Sequence, residues 1–352
     1  MNGDFLWPFG ILPLAGKVSH ENAYAGFLGN ARLGLRRKFA WFTITLNVEG
    51  EEKMKRIVVL GSTNTDMVVK AARIPAPGET ILGGRFLMNP GGKGANQAVA
   101  AARLGGDVAF IAKVGDDLFG REAKTLFAKE GICTDYVLTD RSEPSGVALI
   151  MVDAKGENCI SVASGANAML LPEDIEAARG EIEKAGTLLM QLETPVETVL
   201  CAAQWAAAKG VSVVLNPAPA CQLPDALLKC LSMITPNETE AELLTGVKVS
   251  DEASAARAAK TLCAKGVKRV VITLGAKGAF VYSDGEGRIV PAVKVKAVDT
   301  TAAGDVFNGA LAVALTEDRP LAVAVSFAVK AAAVSVTRMG AQASAPYRNE
   351  VQ

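Results

Sequence analysis

The string D-T-T-A-A-G-D at residues 299–305 holds the residues that point most clearly to chemistry. It follows an apolar segment predicted as a strand over 292–298 and opens a helix predicted over 306–315. The small residues Ala302, Ala303 and Gly304 let backbone N–H groups converge on an anion at the N-terminus of that helix. A bound phosphate would repel Asp305, so we predict that this carboxylate takes a proton from an attacking hydroxyl. The alternative is that Asp305 only caps the helix and Gly304 only makes a turn.

A second loop, N-P-G-G-K-G-A-N at residues 89–96, offers donors that suit sugar hydroxyls. It lacks the spacing of a Walker A motif, and no Ser or Thr follows its Gly-Lys pair. The adjacent glycines allow close approach of a ligand to the backbone, while Lys93 and Asn96 supply N–H donors. Taken alone, a glycine-rich turn between a strand and a helix is more often architectural.

A third loop, T-P-N-E-T-E at residues 235–240, combines an amide and a carboxylate on one helical face. Asn237 and Glu240 are three residues apart, so their side chains are neighbours once the helix begins. Such a pair can hold a hydrated Mg²⁺ through water, because hard cations prefer oxygen ligands and retain waters. An ordinary capping box explains the same spacing.

Composition excludes several classes of function. The 37 basic and 37 acidic residues give a formal net charge of zero, which argues against nucleic-acid binding. No apolar run approaches the roughly 20 residues of a membrane span. Because His20 is the sole histidine, a His-rich zinc site is impossible, and any Ser–His–Asp device would depend on that one residue. Proton transfer is therefore expected to use carboxylates, lysine or metal-bound water.

The six cysteines are scattered, mostly within apolar runs, with no C-x-x-C spacing. They predict small core residues of a reduced, cytoplasmic protein rather than a disulfide framework or a metal site.

From residue 54 onward, short apolar strands alternate with alanine-rich helices. This alternation predicts an α/β fold with a mainly parallel central sheet flanked by helices, and a ligand site at the carboxyl ends of the strands. The predicted strands cover 108–112, 187–190, 211–215 and 270–273, and the predicted helices cover 95–104, 119–130, 195–209, 252–265 and 306–315.

One segment departs from this alternation. Residues 145–152 and 158–163 flank a glycine-containing turn and predict an antiparallel hairpin. Together with residues 79–88, the hairpin is expected to form a small separate sheet.

The first 53 residues differ in composition from the rest. Between Phe5 and Val48 the segment carries Glu21 as its only acid, against five basic residues. Two interpretations stand: an organelle transit peptide, or upstream sequence joined through a wrongly assigned start, with the natural beginning at Met54. We favour the second, and expect residues 1–53 to be disordered.

The loops described above, in this order, resemble those of the ribokinase-like carbohydrate kinase family. The resemblance covers essentially all of residues 54–352. It includes further strings in register: G-S-T-N-T-D at 61–66, P-G-E-T at 77–80, G-D-D-L-F-G at 115–120, M-Q-L-E at 190–193, N-P-A-P-A at 216–220, T-L-G-A-K-G at 273–278 and V-T-R-M-G-A-Q at 336–342.

The resemblance implies a single kinase domain over 54–352, with a Rossmann-like sheet and a small β-sheet lid from about 64–70, 79–91 and 145–165. It implies transfer of the γ-phosphoryl group of ATP to a sugar hydroxyl, O5 of D-ribose, with Asp305 as general base. The backbone N–H groups of residues 302–305 would form the anion hole. In the family the lids of two subunits pack together, so a homodimer is implied.

The same resemblance assigns ligand contacts residue by residue. Those for the sugar fall on Asn64, Asp66, Gly92, Lys93, Asn96 and Glu193, besides Asp305. Those for ATP fall on Asn237, Thr273, Gly275, Gly278 and Gly304, with Mg²⁺ held through water by Glu240. Those for an activating monovalent cation, usually K⁺, fall on Asp299, Thr301, Ser335, Arg338, Gly340 and Ser344, several through backbone carbonyls.

Two alternatives remain open from the sequence. One is a kinase for deoxyribose, a nucleoside or another sugar, with Asn64 as the residue expected to discriminate against 2-deoxyribose. The other, of a different class, is a non-catalytic sugar-binding regulator that kept the fold. At a position where many members of the family have Asn or His near the adenine, this chain has Val329.

Overall fold

The computed structural model describes residues 55–351. The predicted leader at 1–53 therefore lies outside the described residues. Within them the chain forms a large mixed sheet, a smaller sheet and helices on both faces of the large sheet.

The strands of the described residues form two separate sheets. The strands are β1 Ile57–Leu60, β2 Asn64–Lys70, β3 Arg85–Gly91, β4 Val108–Gly115, β5 Val137–Asp140, β6 Gly146–Val152, β7 Asn158–Ala163, β8 Thr187–Met190, β9 Ser212–Leu215, β10 Met233–Ile234, β11 Arg269–Thr273, β12 Gly278–Ser283 and β13 Glu286–Pro291. The large sheet has the order β13-β12-β11-β10-β9-β8-β1-β4-β5, and the small sheet has the order β3-β2-β6-β7. From β11 to β5 the pairs of the large sheet are parallel, while β12 and β13 are antiparallel additions at one edge.

Six of the nine helices of the described residues begin after a polar or proline N-cap. They are α1 Lys93–Arg103, α2 Leu118–Lys129, α3 Arg179–Lys184, α4 Val196–Ala208, α5 Asp225–Cys230, α6 Glu238–Thr245, α7 Glu252–Ala264, α8 Ala303–Thr316 and α9 Leu321–Ser335. Asp117, Asn237 and Asp251 each accept a hydrogen bond from the N3 backbone N–H of the helix that they cap.

Strand β1 shows how the core is divided. Its four residues are fully buried, and successive side chains point to opposite faces of the sheet. Ile57 and Val59 belong to the apolar cluster beneath α1, α8 and α9, whereas Val58 and Leu60 belong to the cluster beneath α4, α5 and α7. A strand buried on both faces reads as a continuous apolar run, which is why these strands could be predicted.

The small sheet contains the predicted hairpin. β6 and β7 pair antiparallel, with Ile150 opposite Ile160, and β2 lies between β3 and β6. Residues 79–84 precede β3 without regular structure, so the small sheet is built from later residues than the predicted 79–88.

The predicted strand over 292–298 is wrong. β13 ends at Pro291, and residues 292–297 have no regular structure. The V-K-V-K string at 293–296 has the alternation that is typical of a half-buried strand, but most of the residues from 292 to 298 are exposed. Instead of joining a ladder, the backbone N–H groups of Val298 and Asp299 both donate to the carbonyl of Val336.

The cysteine prediction holds only in part. All six thiols are free, yet Cys159 and Cys221 are exposed and the other four are half-buried rather than core residues. Among the described residues, no helix combines the length and apolar character needed to cross a membrane.

Candidate active site

The site lies where the parallel strands end and the helices α1 and α8 begin. The loop after β1 leads into β2, the loop after β8 carries Glu193, and the N-terminus of α1 carries Lys93 and Asn96. Asp305 lies in the first turn of α8, 209 residues from Asn96, and the two side chains are hydrogen-bonded. This juxtaposition of carboxyl strand ends is the one expected for an open α/β sheet.

Asp305 is a buried carboxylate held at both oxygens. Asn96 Nδ2 donates to its Oδ2 at 2.9 Å, and Gln97 Nε2 donates to its Oδ1 at 2.9 Å. Burial raises the pKa of Asp305, while the charge of Lys93 and the two amide donors oppose that rise. Both donors are neutral amides that do not give up a proton, so the Asp305 carboxylate can still accept one from another group.

The first turn of α8 provides an anion site. Ala302 precedes the helix in the left-handed conformation, with φ 57°. The N–H of Ala303 donates to the carbonyl of Thr300 at 3.2 Å, whereas within the described residues the N–H groups of Gly304 and Asp305 have no acceptor. A Cβ added at Gly304 would meet no atom within 4 Å, so this turn faces open space that an anion can enter.

Asp66 lies directly over the glycine loop. A Cβ on Gly91 would fall 2.3 to 2.4 Å from the Asp66 carboxyl atoms, so a larger residue at this position would force the carboxylate to move. Burial and the negative charges of Glu193 and Asp305 raise the pKa of Asp66 to about 6, and Lys93 opposes the rise. Three carboxylates thus share one cleft with one ammonium group.

Glu193 is fixed by the loops that surround it. Its Oε2 accepts from the Ser62 hydroxyl at 2.5 Å and from the Lys93 backbone N–H at 3.0 Å. The carboxylate therefore sits at the N-terminus of α1, where the helix dipole favours it.

Asn64 has a defined amide orientation. Asn167 Nδ2 donates to Asn64 Oδ1 at 2.8 Å and to the Thr63 carbonyl at 3.0 Å. Asn167 Oδ1 in turn accepts from the Thr63 N–H at 2.9 Å. Because the oxygen of Asn64 is occupied, its Nδ2 remains as the donor for a ligand hydroxyl.

The loops assigned to the nucleotide are brought together. An isolated parallel bridge joins Asn237 to Thr273, so the residues after β10 and β11 lie side by side. Gly275 begins a 3₁₀ turn and Gly278 begins β12, with a left-handed φ of 106° at Gly278. The predicted position Val329 is buried within the apolar cluster beside α8.

Asn237 and Glu240 form the capping box that the sequence left as an alternative. Asn237 N–H donates to Glu240 Oε2, and Glu240 N–H donates to Asn237 Oδ1, both at 2.8 Å. Burial raises the pKa of Glu240, as does Asp305, while the Asn237 N–H and Lys93 oppose it. Glu240 thus faces the same cleft as Lys93 and Asp305.

The residues assigned to a monovalent cation lie in two neighbouring segments. Asp299 Oδ1 accepts from the Thr301 N–H at 2.9 Å, and Asp299 Oδ2 accepts from the Gly340 N–H at 2.9 Å. Ser335 and Ser344 are buried and donate to carbonyls of their own segments. The Arg338 side chain instead pairs with Glu350, so only its backbone could take part.

Sequence reasoning missed Gln97, Asn167 and Ser62. Gln97 and Asn167 are almost fully buried amides that touch Asp305 and Asn64. The available signal for Gln97 was a pair of adjacent amides, Asn96 and Gln97, in the buried, alanine-rich run of α1, since such groups must find partners.

Comparisons with known proteins agree with this geometry. The model of the pfkB family carbohydrate kinases matches residues 54–348. The chain is 51% identical over 296 residues to a ribokinase of Haemophilus influenzae, covering 84% of this chain and 97% of that protein. It is 40% identical over 291 residues to a deoxyribokinase of Salmonella typhi, covering 82% of this chain and 95% of that protein.

A solved structure of Arabidopsis thaliana ribokinase complexed with ribose and ATP has a TM-score of 0.81 at 33% identity, covering 84% of this chain and 97% of that one. Fold, site geometry and sequence similarity therefore agree: the chain belongs to the pfkB family of carbohydrate kinases.

Proposed function

We propose that this chain phosphorylates D-ribose at O5 with ATP as the donor. The observation that carries the proposal is the buried Asp305 carboxylate beside free N–H groups and open space at the start of α8. A base and an anion site in adjacent residues suit transfer of a phosphoryl group to a hydroxyl. The ribokinases of Haemophilus influenzae and Arabidopsis thaliana support ribose as the acceptor.

The sugar lies between the small sheet and the N-terminus of α1. Asp66 and Glu193 accept from its hydroxyls, whereas Asn64, Lys93 and Asn96 donate. Asp305 takes the proton of O5 as that oxygen bonds to the γ-phosphorus, and the bond from phosphorus to the bridging oxygen of ADP breaks. The N–H groups of Gly304 and Asp305 stabilise the charge on the transferring phosphoryl oxygens.

The nucleotide occupies the loops after β10 and β11. Thr273, Gly275 and Gly278 contact the base and its ribose, and Asn237 lies near the phosphates. The bridge between Asn237 and Thr273 holds these loops in one arrangement.

The donor set fits a magnesium ion held through water. Glu240 Oε2 is used in the capping box, but Oε1 accepts no hydrogen bond from the described residues. This oxygen belongs to a carboxylate in the cleft, the kind of ligand that hydrated Mg²⁺ uses. When bound, the ion neutralises charge on the nucleotide phosphates.

A monovalent cation fits beside the anion site. Asp299 joins residue 301 to residue 340, and two buried serines lie in the same segments. Backbone carbonyls of these segments, with Asp299, would hold K⁺. Such an ion would neutralise Asp299 and stiffen the loop that leads into α8.

The small sheet acts as the lid, and two lids form the dimer interface. β7 is exposed along its whole length, and large apolar side chains of the sheet, including Phe86 and Leu149, are more than half exposed. An apolar patch of this kind favours a protein partner, here a second copy of the chain.

A kinase for deoxyribose is the second candidate, favoured by the Salmonella typhi relative. Asn64 would distinguish ribose from 2-deoxyribose, because its oriented Nδ2 pairs with a hydroxyl that deoxyribose lacks. A site built to pair with a hydroxyl rejects an analogue without it, since its own donor is left unsatisfied.

The test is ADP release over a panel of ribose, 2-deoxyribose, fructose and nucleosides. We expect ribose to give the highest kcat/KM, and Asp305→Asn to abolish turnover while ribose binding by calorimetry is largely kept. A clear preference for another sugar would replace ribose as the substrate. Ribose binding without turnover by the unmutated protein would favour the non-catalytic regulator.

A further inference from the structure

A chain of buried polar side chains joins Asp305 to the backbone of its own helix. Its members come from five different elements or loops, and none is more than 7% exposed. They are Gln97, Gln191, Asn216, Thr235 and Asn308. Each of these side chains is hydrogen-bonded, and among their buried oxygens only Gln191 Oε1 has no partner within the described residues.

Gln97 is the branch point of this chain. Its Nε2 donates to Asp305 Oδ1 at 2.9 Å and to Asn216 Oδ1 at 3.0 Å. Its Oε1 accepts from Gln191 Nε2 at 2.7 Å. An ionised carboxylate can only accept, so the nitrogen of Gln97 must face Asp305, and the bond from Gln191 fixes the opposite end of the amide.

The second branch returns to the anion site. Asn216 Nδ2 donates to the Thr235 carbonyl at 3.2 Å, and the Thr235 hydroxyl donates to Asn308 Oδ1 at 2.6 Å. Asn308 Nδ2 then donates to the Gly304 carbonyl at 2.8 Å. The carboxylate of residue 305 and the backbone of residue 304 are therefore tied into one network.

We propose that Gln97 is a positioning residue that orients the Asp305 carboxylate and favours its ionised form. This rests on the proposed role of Asp305 as base. Asn96 also donates to Asp305, but the resemblance assigns Asn96 to the sugar, whereas Gln97 is wholly buried behind the carboxylate. Gln97 thus acts on the base in the absence of any ligand.

Other charges face Asp305 and set the background. Lys93 on α1 favours the ionised carboxylate, while Glu193 after β8 disfavours it. The negative charge of Asp305 in turn raises the pKa of Asp66 on β2 and of Glu240 on α6. Gln97 is a neutral donor among these charges, so removing it should raise the pKa of Asp305.

The test compares Gln97→Met with Thr187→Val. Both remove a buried polar group, but only Gln97 touches Asp305, whereas Thr187 begins β8 and pairs with Thr316 at 2.8 Å. For Gln97→Met we expect kcat to fall roughly 10- to 100-fold, KM for the sugar to change little, and the acid limb of the kcat profile to move to higher pH. Thr187→Val should also lower Tm, because it leaves Thr316 without this partner, yet it should leave the acid limb in place.

A readout without turnover keeps the test independent of the substrate. The titration of the Asp305 carboxyl is followed by infrared difference spectra against Asp305→Asn, and Gln97→Met should titrate at higher pH. If Gln97→Met does not fold, Gln97→Leu removes the same donor without adding a charge, and the same displacement is expected. An Asp305 titration that is unchanged in the folded variant overturns the proposal. Absence of ribose phosphorylation by the unmutated protein contradicts only the proposed function.

Discussion

At the scale of single residues, Asp66 is buried at a cost to stability. Its carboxylate, the proposed acceptor of sugar hydroxyls, accepts at both oxygens without donating only when it is ionised, yet burial and two neighbouring carboxylates raise its pKa to about 6. A carboxyl whose pKa is higher in the folded state than in the unfolded state favours folding when protonated and disfavours it when ionised. The free protein is therefore destabilised by this group above pH 6.

We expect Asp66→Asn to weaken ribose binding and to raise Tm at pH 8. The gain in stability, at most about 3 kcal/mol from a pKa displacement of about 2, should vanish by pH 3.5, where both forms of the protein carry a neutral side chain. In the unmutated protein, ribose affinity should decline as the pH falls through about 6.

Calorimetric titration and thermal melts at several pH values check both expectations. Asp116→Asn, at an exposed carboxylate outside the site, is the control and should change neither ribose affinity nor Tm. Equal Tm gains at pH 8 and pH 3.5 would contradict the explanation.

Single residues also mark the limit of sequence reasoning. Asp305, Asp66 and Lys93 could be predicted because they lie in short, family-like strings. Gln97 and Asn167 could not, because their roles depend on contacts made 208 and 103 residues away along the chain. No spacing within a helix encodes such a contact.

At the scale of elements, Asp299 fixes the approach to α8. Hydrogen bonds from Thr301 and Gly340 lower the pKa of Asp299 against the opposing effect of burial. The predicted strand at 292–298 is absent, so this side chain, with the two backbone bonds to Val336, holds the segment instead. The sequence predicted most strands and helices from their apolar runs, but it missed an irregular segment stabilised by one carboxylate.

We expect Asp299→Asn to place an amide donor against a backbone donor and to release this segment. Ribose phosphorylation should fall roughly 10-fold, and the preference for K⁺ over Na⁺ and Cs⁺ at constant ionic strength should be lost. Glu350→Gln breaks the exposed ion pair with Arg338 in the neighbouring segment and serves as the control. Identical activity of the unmutated protein in all three salts would remove the proposed cation site.

At the scale of the whole molecule, the small sheet presents an apolar face on the side opposite Asp66. Met67 lies opposite Met88 on β3 and Leu149 on β6, so these three side chains share one face. Asp66 points to the other face, because successive residues of a strand alternate. Leu149 is 56% exposed, and covering this face would give the proposed association of two chains its driving force.

We expect Leu149→Glu to convert a dimer into a monomer and to raise KM for ribose, because the lid then lacks its support. Sedimentation equilibrium and kinetics over a range of protein concentrations measure the two effects. Leu243→Glu changes a more exposed leucine on α6, which is 68% exposed, and should leave the assembly intact. A monomeric unmutated protein would refute the interface.

The clustering of Asp66, Glu193 and Asp305 around Lys93 also bears on turnover. The cleft carries an excess of negative charge on its sugar side when these carboxylates are ionised. An uncharged pentose would enter without electrostatic penalty, but once phosphorylated it would be a dianion facing Asp66 and Glu193, while Asp305 holds the proton taken from O5. In the proposed reaction, the carboxylates that bind the neutral sugar would therefore repel its phosphorylated product and promote its dissociation.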